Sequence, residues 1–214
     1  LPAHHSDLPR CFILADGMGG HLGGSIASQT AIDAVKLVLE NGGIKQSRIL
    51  RDALSAANEN IAECLRVNKD LEGMGTTLVV LMLTDSKAFW VSVGDSPLLS
   101  FDCNSQLSCL NEDHSMRPVL EKLVESGLMQ KDDPEYSQKV NQLRSALTGD
   151  RIELYDLNDQ GVSLTSIKYL ILASDGLETL TRDEISSIVT EEEYGGVERI
   201  ARKLIDAVDL KANS

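Results

Sequence analysis

Two segments of this chain end alike. Phe12-Ile13-Leu14-Ala15 runs into Asp16-Gly17, and Leu170-Ile171-Leu172-Ala173-Ser174 runs into Asp175-Gly176. A third apolar run, closing at Val93, leads into Gly94-Asp95-Ser96. A carboxylate delivered at the end of a buried strand is costly to desolvate unless a cation meets it. Asp16, Asp95 and Asp175 therefore point to carboxylates converging on a hard divalent ion, and oxygen donors of this kind suit Mg2+ or Mn2+. The glycines after Asp16 and Asp175 let the main chain come close, so a carbonyl can act as a further donor. The competing reading is an ordinary Asp-Gly turn at each place.

The glycine-rich stretch Gly17-Met18-Gly19-Gly20-His21-Leu22-Gly23-Gly24 has a second possible use. Glycines between a strand and a helix can cradle phosphate at the helix N-terminus. The stretch lacks both the Lys-Ser/Thr of a P-loop and the spacing of a dinucleotide fingerprint, so nucleotide binding is the weaker reading.

These residues need elements to hold them. Cys11–Ala15 reads as a buried strand, followed by a helix from Ser25 that Asn41-Gly42-Gly43 stops. A second helix runs from about Arg48 to Val67, with Ile49, Leu50, Ala53, Leu54, Ala57, Ile61 and Leu65 on one side. Thr76–Leu83 and Ala88–Val93 form a hairpin around Thr84-Asp85-Ser86-Lys87, and Trp90 within it belongs to the core. Leu98–Phe101 and Gln106–Leu110 are two further short strands, with Cys103 and Cys109 as packed thiols. Met116–Gly149 is helical in pattern, with a short helix ending at Gly127 and a charged loop at Lys131–Pro134. Lys168–Ala173 is another buried strand, and Thr181-Arg182-Asp183-Glu184 has the form of a capping box. The last helix, Val197–Val208, carries Val197, Ile200, Ala201, Leu204, Ile205 and Val208 on one face. Consecutive strands followed by helices predict an α+β fold with antiparallel sheets, not a regular βαβ wind.

The chain has 214 residues, with 20 Lys plus Arg against 33 Asp plus Glu, a net charge of −13. The length and the absence of linkers or repeats predict one domain. So acidic a chain is a poor partner for nucleic acid. No run approaches a membrane span, and no signal-peptide layout opens the chain. The four cysteines include no C-x-x-C pair, which suits a reduced, cytoplasmic protein.

Six segments in order resemble one family. Ala15-Asp16-Gly17-Met18-Gly19-Gly20-His21 is similar to the signature of the bacterial metal-dependent protein phosphatases, the PPM or type 2C serine/threonine family. Gly73-Met74-Gly75-Thr76-Thr77, Val93-Gly94-Asp95-Ser96 and Leu110-Asn111-Glu112-Asp113-His114-Ser115 resemble its central hairpin entry, G-D-S segment and D-H-S turn. Leu143-Arg144-Ser145-Ala146-Leu147-Thr148-Gly149 and Ala173-Ser174-Asp175-Gly176-Leu177 resemble its post-flap segment and S-D-G motif. The resemblance implies a four-layer α-β-β-α sandwich, two antiparallel sheets flanked by helices, with a flap at about residues 116–149. It implies two Mg2+ or Mn2+ ions and a looser third. Asp16 would bridge two metals, Gly17 would ligate through its carbonyl, Asp175 would bind one metal, and Asp95 with Asp175 would meet the third.

The implied activity is hydrolysis of phosphoserine and phosphothreonine in proteins by a metal-activated water, with no covalent intermediate. No cysteine here has an arginine at the C-x5-R spacing of thiol phosphatases. The implied partners are the phosphorylated products of a serine/threonine kinase, met by a monomer. The resemblance also implies a chain truncated at both ends, without terminal strands. His4-His5-Ser6-Asp7 does not match the family's Arg and acidic pair, Asp206 and Asp209 are poor substitutes for its terminal Asp, and Pro97 stands where it has Arg. These departures leave open a catalytically impaired, phosphatase-like binding module. His21 is read as a helix-entry residue, and His114 as a turn residue.

Overall fold

A computed structural model describes residues 9–41 and 46–212. In chain order they form β1 (Arg10–Leu14), β2 (Gly17–Met18), α1 (Gly20–Asn41), α2 (Gln46–Val67), β3 (Gly75–Thr76), β4 (Leu78–Leu83) and β5 (Lys87–Val93). There follow β6 (Leu98–Asp102), β7 (Leu107–Cys109), α3 (Arg117–Glu125), α4 (Pro134–Lys139), β8 (Asp156–Ser163), β9 (Ile167–Leu172), α5 (Arg182–Glu191) and α6 (Val197–Ala212). The chain divides into two compact units, one of Leu1–Ser96 with Glu112–Leu164 and one of Pro97–Asn111 with Thr165–Ser214.

The first unit holds an antiparallel sheet in the order β1-β4-β5-β8. β4 and β5 are buried on both faces, which is why they read as continuous apolar runs. Helices α1 and α2 pack along each other, and Ala27, Ala31, Ala53 and Ala57 are fully buried with Leu50, Ile61, Val80 and Val91 in one core. Small side chains at these spacings let the two helix backbones approach.

β1 is not the buried strand expected. It is an edge strand among the described residues, and Phe12 is 47% exposed. Helix α1 begins at Gly20, not at Ser25, so Gly23 and Gly24 lie in its first turns. Glycine in a helix costs about 1 kcal/mol against alanine; close packing against the loop before it overrides that preference here. β8 escaped the sequence reading because Asp156-Leu157-Asn158-Asp159-Gln160-Gly161 lacks β-formers. It is held by pairing with β5 and by Trp90, whose indole N–H donates to Asp156 Oδ2 at 2.7 Å.

The second unit is an antiparallel sheet in the order β7-β6-β9 with α5 and α6. Leu99, Phe101, Leu177, Leu180, Ile185, Val189, Ile200 and Leu204 form its core. β9 is half-buried, not fully buried. The α6 stripe is only partly used: Ile200 and Leu204 are buried, whereas Val197 and Ile205 are exposed. The pair four residues apart faces the core, and the flanking members of the stripe border an open groove beside β9. Cys103 and Cys109 are exposed, not packed, because both belong to the peripheral β6–β7 hairpin. Among the described residues no helix is long and apolar enough to cross a membrane.

Candidate active site

In the first unit, the chain leaves β1 at Asp16 and makes two residues of β2, which pair with β3 as Gly17↔Thr76 and Met18↔Gly75. Neighbouring threonines fix the main chain of Asp16. Its N–H donates to Thr77 Oγ1 at 3.0 Å, and its carbonyl accepts from the Thr77 N–H and the Thr76 hydroxyl, each at 2.9 Å. Thr76 and Thr77 are both buried. These bonds leave the half-buried Asp16 side chain carried by a backbone that cannot easily rotate.

The first turn of α1 lies directly against this loop. A Cβ on Gly17 would run into the Gly24 carbonyl, and a Cβ on Gly24 would come within 2.7 Å of the Gly17 carbonyl. Only glycine at both positions allows the contact. The glycines thus serve close approach between loop and helix, and this accounts for them without a bound nucleotide.

The Gly94-Asp95-Ser96 loop belongs to the same unit and shares Thr77 as a tie. Ser96 Oγ lies 2.8 Å from Thr77 Oγ1. Gly94 has a φ of +98°, and a Cβ there would stand 2.6 Å from Thr77 Cγ2. His114 grips Gly94 from the other side. The His114 N–H donates to the Gly94 carbonyl at 3.1 Å, and the Gly94 N–H donates to His114 Nδ1 at 3.2 Å. Burial pushes the His114 pKa below its usual value, against the opposing pull of Glu112 and Asp156. His114 is therefore a turn residue, as its sequence position suggests, and an anchor as well. Thr77 and the His114–Gly94 pair went unread as site residues; Thr-Thr directly after Gly73-Met74-Gly75 is the signal that marks the first.

Asp175 lies in the second unit. It opens a short 3-10 helix, Asp175–Thr179, after Ser174, and its side chain is exposed rather than sunk at a strand end. The desolvation argument therefore applies to Asp16 and Asp95, both half-buried, and not to Asp175. Pro97 is buried at the start of the second unit, and its carbonyl accepts the Ala173 N–H at 3.2 Å.

Among the described residues no group of three or more His, Cys, Asp or Glu side chains is arranged to hold a metal ion. Within the first unit the carboxylates of Asp16 and Asp95 and the Gly17 carbonyl are nonetheless all hard oxygens, whereas Asp175 belongs to the second unit. Mg2+ commonly keeps several waters and takes only one or two protein carboxylates, so this donor chemistry fits. Asp206 and Asp209 lie on α6, as expected. The His4–Asp7 segment, Gly42-Gly43 and the His21 side chain lie outside the described residues.

The comparisons with known proteins agree with one another. The family model described as protein phosphatase 2C matches residues 3–207. Protein phosphatase PhpP of Streptococcus pneumoniae is 32% identical over 186 residues, covering 84% of this chain and 72% of that protein. The structure of the serine/threonine phosphatase Stp1 from Staphylococcus aureus superposes with a TM-score of 0.81 at 26% identity, covering 95% of this chain and 79% of that one. The catalytic domain of the phosphatase PstP, solved with two manganese ions, superposes with a TM-score of 0.71 at 27% identity, covering 94% and 82% of the respective chains. The α+β fold, the ordered motifs and the match over nearly the whole sequence lead to one statement: the chain belongs to the protein phosphatase 2C family.

Proposed function

We propose that this chain hydrolyses phosphoserine and phosphothreonine in proteins with water activated by a divalent metal and without a covalent enzyme intermediate. The observation that carries the reading is the Asp16-Gly17 loop, clamped by Thr76 and Thr77 and roofed by Gly24. Rigid placement of this kind suits a residue whose carboxylate must meet a cation in one geometry. The two manganese ions of the PstP structure support the choice of metal. The residues proposed as metal donors are Asp16, the Gly17 carbonyl and Asp95 of the first unit and Asp175 of the second. When bound, Mg2+ or Mn2+ lowers the pKa of water and neutralises charge on phosphoryl oxygens. The protein's part is to fix Asp16 and Asp95 relative to each other through Thr77. We further propose that residues 1–214 act as one phosphatase domain with a flap at about 116–149. The substrates are products of a serine/threonine kinase, and the enzyme works as a cytoplasmic monomer.

The test is hydrolysis of p-nitrophenyl phosphate and of a phosphothreonine peptide, with Mn2+ and with EDTA. Turnover should require Mn2+ and vanish in EDTA. Asp16→Asn should lower kcat by about a hundred-fold or more while the circular dichroism spectrum is kept. A folded parent without Mn2+-dependent turnover would instead support a phosphatase-like binding module.

A further inference from the structure

His114 is 2% exposed and makes three hydrogen bonds to main-chain atoms of the first unit, one of them through its ring. Two go to Gly94, one from each of its peptide groups, as described above. The third is to the base of the flap, where the His114 carbonyl accepts the Arg144 N–H at 2.8 Å. The neighbouring Ser115 continues that link by bridging to Leu143 and by accepting Arg144 Nε at its carbonyl, 2.7 Å away.

The ring's chemistry is constrained. Nδ1 accepts the Gly94 N–H, so it cannot carry a proton, and the neutral ring must hold its proton on Nε2. Nε2 is itself buried and has no hydrogen-bond partner among the described residues. A donor left in that state is destabilising. An apolar side chain of similar size would avoid that penalty but could not receive the Gly94 N–H. The polar ring is thus explained by what it does for Gly94.

Gly94 immediately precedes Asp95, and Ser96 immediately follows it. Gly94 is held by His114, and Ser96 by Thr77, whose hydroxyl also receives the Asp16 N–H. We infer that His114 is a positioning residue: through its Nδ1 bond to Gly94 it sets the orientation of Asp95, and it joins that loop to the base of the flap at Arg144. The inference rests on the reading that Asp95 serves a cation, and it assigns the second anchor of that loop to a residue outside the donor set.

The experiment compares the full chain with His114→Asn and His114→Leu. The Asn carboxamide oxygen can stand where Nδ1 stands, whereas Leu offers no acceptor. Nitrogen NMR of the parent should show the Nε2–H tautomer near neutral pH, and the Gly94 amide should exchange slowly. In His114→Leu that amide should exchange about ten-fold faster. Mn2+ affinity measured by calorimetry should fall by about ten-fold, with kcat reduced more than KM for p-nitrophenyl phosphate is raised. His114→Asn should restore slow exchange and most of the affinity. An Nδ1–H tautomer in the parent overturns the inference, as does a Leu variant with unchanged exchange and affinity, or an Asn variant as impaired as Leu. If the Leu variant does not fold, the parent's tautomer and the Asn variant's amide exchange decide the matter. A parent that binds Mn2+ without turnover defeats the proposed activity and leaves these readouts in force.

Discussion

Thr77 is a single hydroxyl on which two loops depend, since it receives the Asp16 N–H and lies 2.8 Å from Ser96 Oγ. Thr77→Val keeps the shape and removes both bonds, leaving the Asp16 amide without its side-chain acceptor. The expected loss of stability is about 1–3 kcal/mol. Thr77→Ser keeps the hydroxyl and gives up one buried methyl, worth about 1 kcal/mol. Urea unfolding should therefore rank the parent above Ser and Ser above Val, with Mn2+-dependent turnover in the same order. A Val variant as stable and active as the parent would show that Thr77 ties nothing. Gly17→Ala probes the same loop by volume. Its Cβ meets the Gly24 main chain, not a movable side chain, so α1 and the loop must separate. The expected cost is about 1–3 kcal/mol with loss of turnover, read by thermal unfolding and p-nitrophenyl phosphate hydrolysis.

At the scale of elements, α5 starts with a complete capping box. Thr181 Oγ1 accepts the Glu184 N–H, and Glu184 accepts the Thr181 N–H at 2.7 Å. Lys211 of α6 reaches the same Glu184 oxygen at 2.7 Å, so one carboxylate caps α5 and links it to α6. The Lys211 ammonium, followed by the Thr181 N–H, pulls the Glu184 pKa down to about 2. Because the folded pKa lies below the unfolded one, this stabilisation is complete above about pH 4.5 and is lost as pH falls toward 2. The melting temperature of the parent should exceed that of Glu184→Gln near neutral pH. The gap should close on acidification through that window; a gap independent of pH would contradict the assignment. This capping box was legible in Thr181-Arg182-Asp183-Glu184 because its bonds are local, whereas the Lys211 link, spanning 27 residues, was not. The same distinction separates β4 and β5, whose apolar runs announce them, from β8, whose polar residues become a strand only through pairing with β5. In the candidate site, Asp16, Gly17 and Asp95 were visible as strand-end residues. Thr77 and His114 act through bonds to main-chain atoms far away in sequence, which residue type alone does not reveal.

For the whole molecule the net charge of −13 poses a problem of interpretation, since any cation relieves self-repulsion in so acidic a chain. A divalent ion bound at defined oxygens differs from a screening ion in three ways: it saturates, it is selective, and it depends on particular carboxylates. For one site, ligand at a hundred times its dissociation constant adds about 2.7 kcal/mol of stability. In a chain of this length that corresponds to a rise in melting temperature of about 5–10 °C. Mn2+ should therefore raise the melting temperature along a saturating curve, while KCl at equal ionic strength should give a smaller, non-saturating change. Asp16→Asn should abolish the saturating part and leave the KCl response intact, because it removes one charge of many but one donor of few. If KCl reproduced the whole Mn2+ effect, or Asp16→Asn left it unchanged, the acids of this chain would act only as a diffuse surface charge and Asp16 would hold no metal.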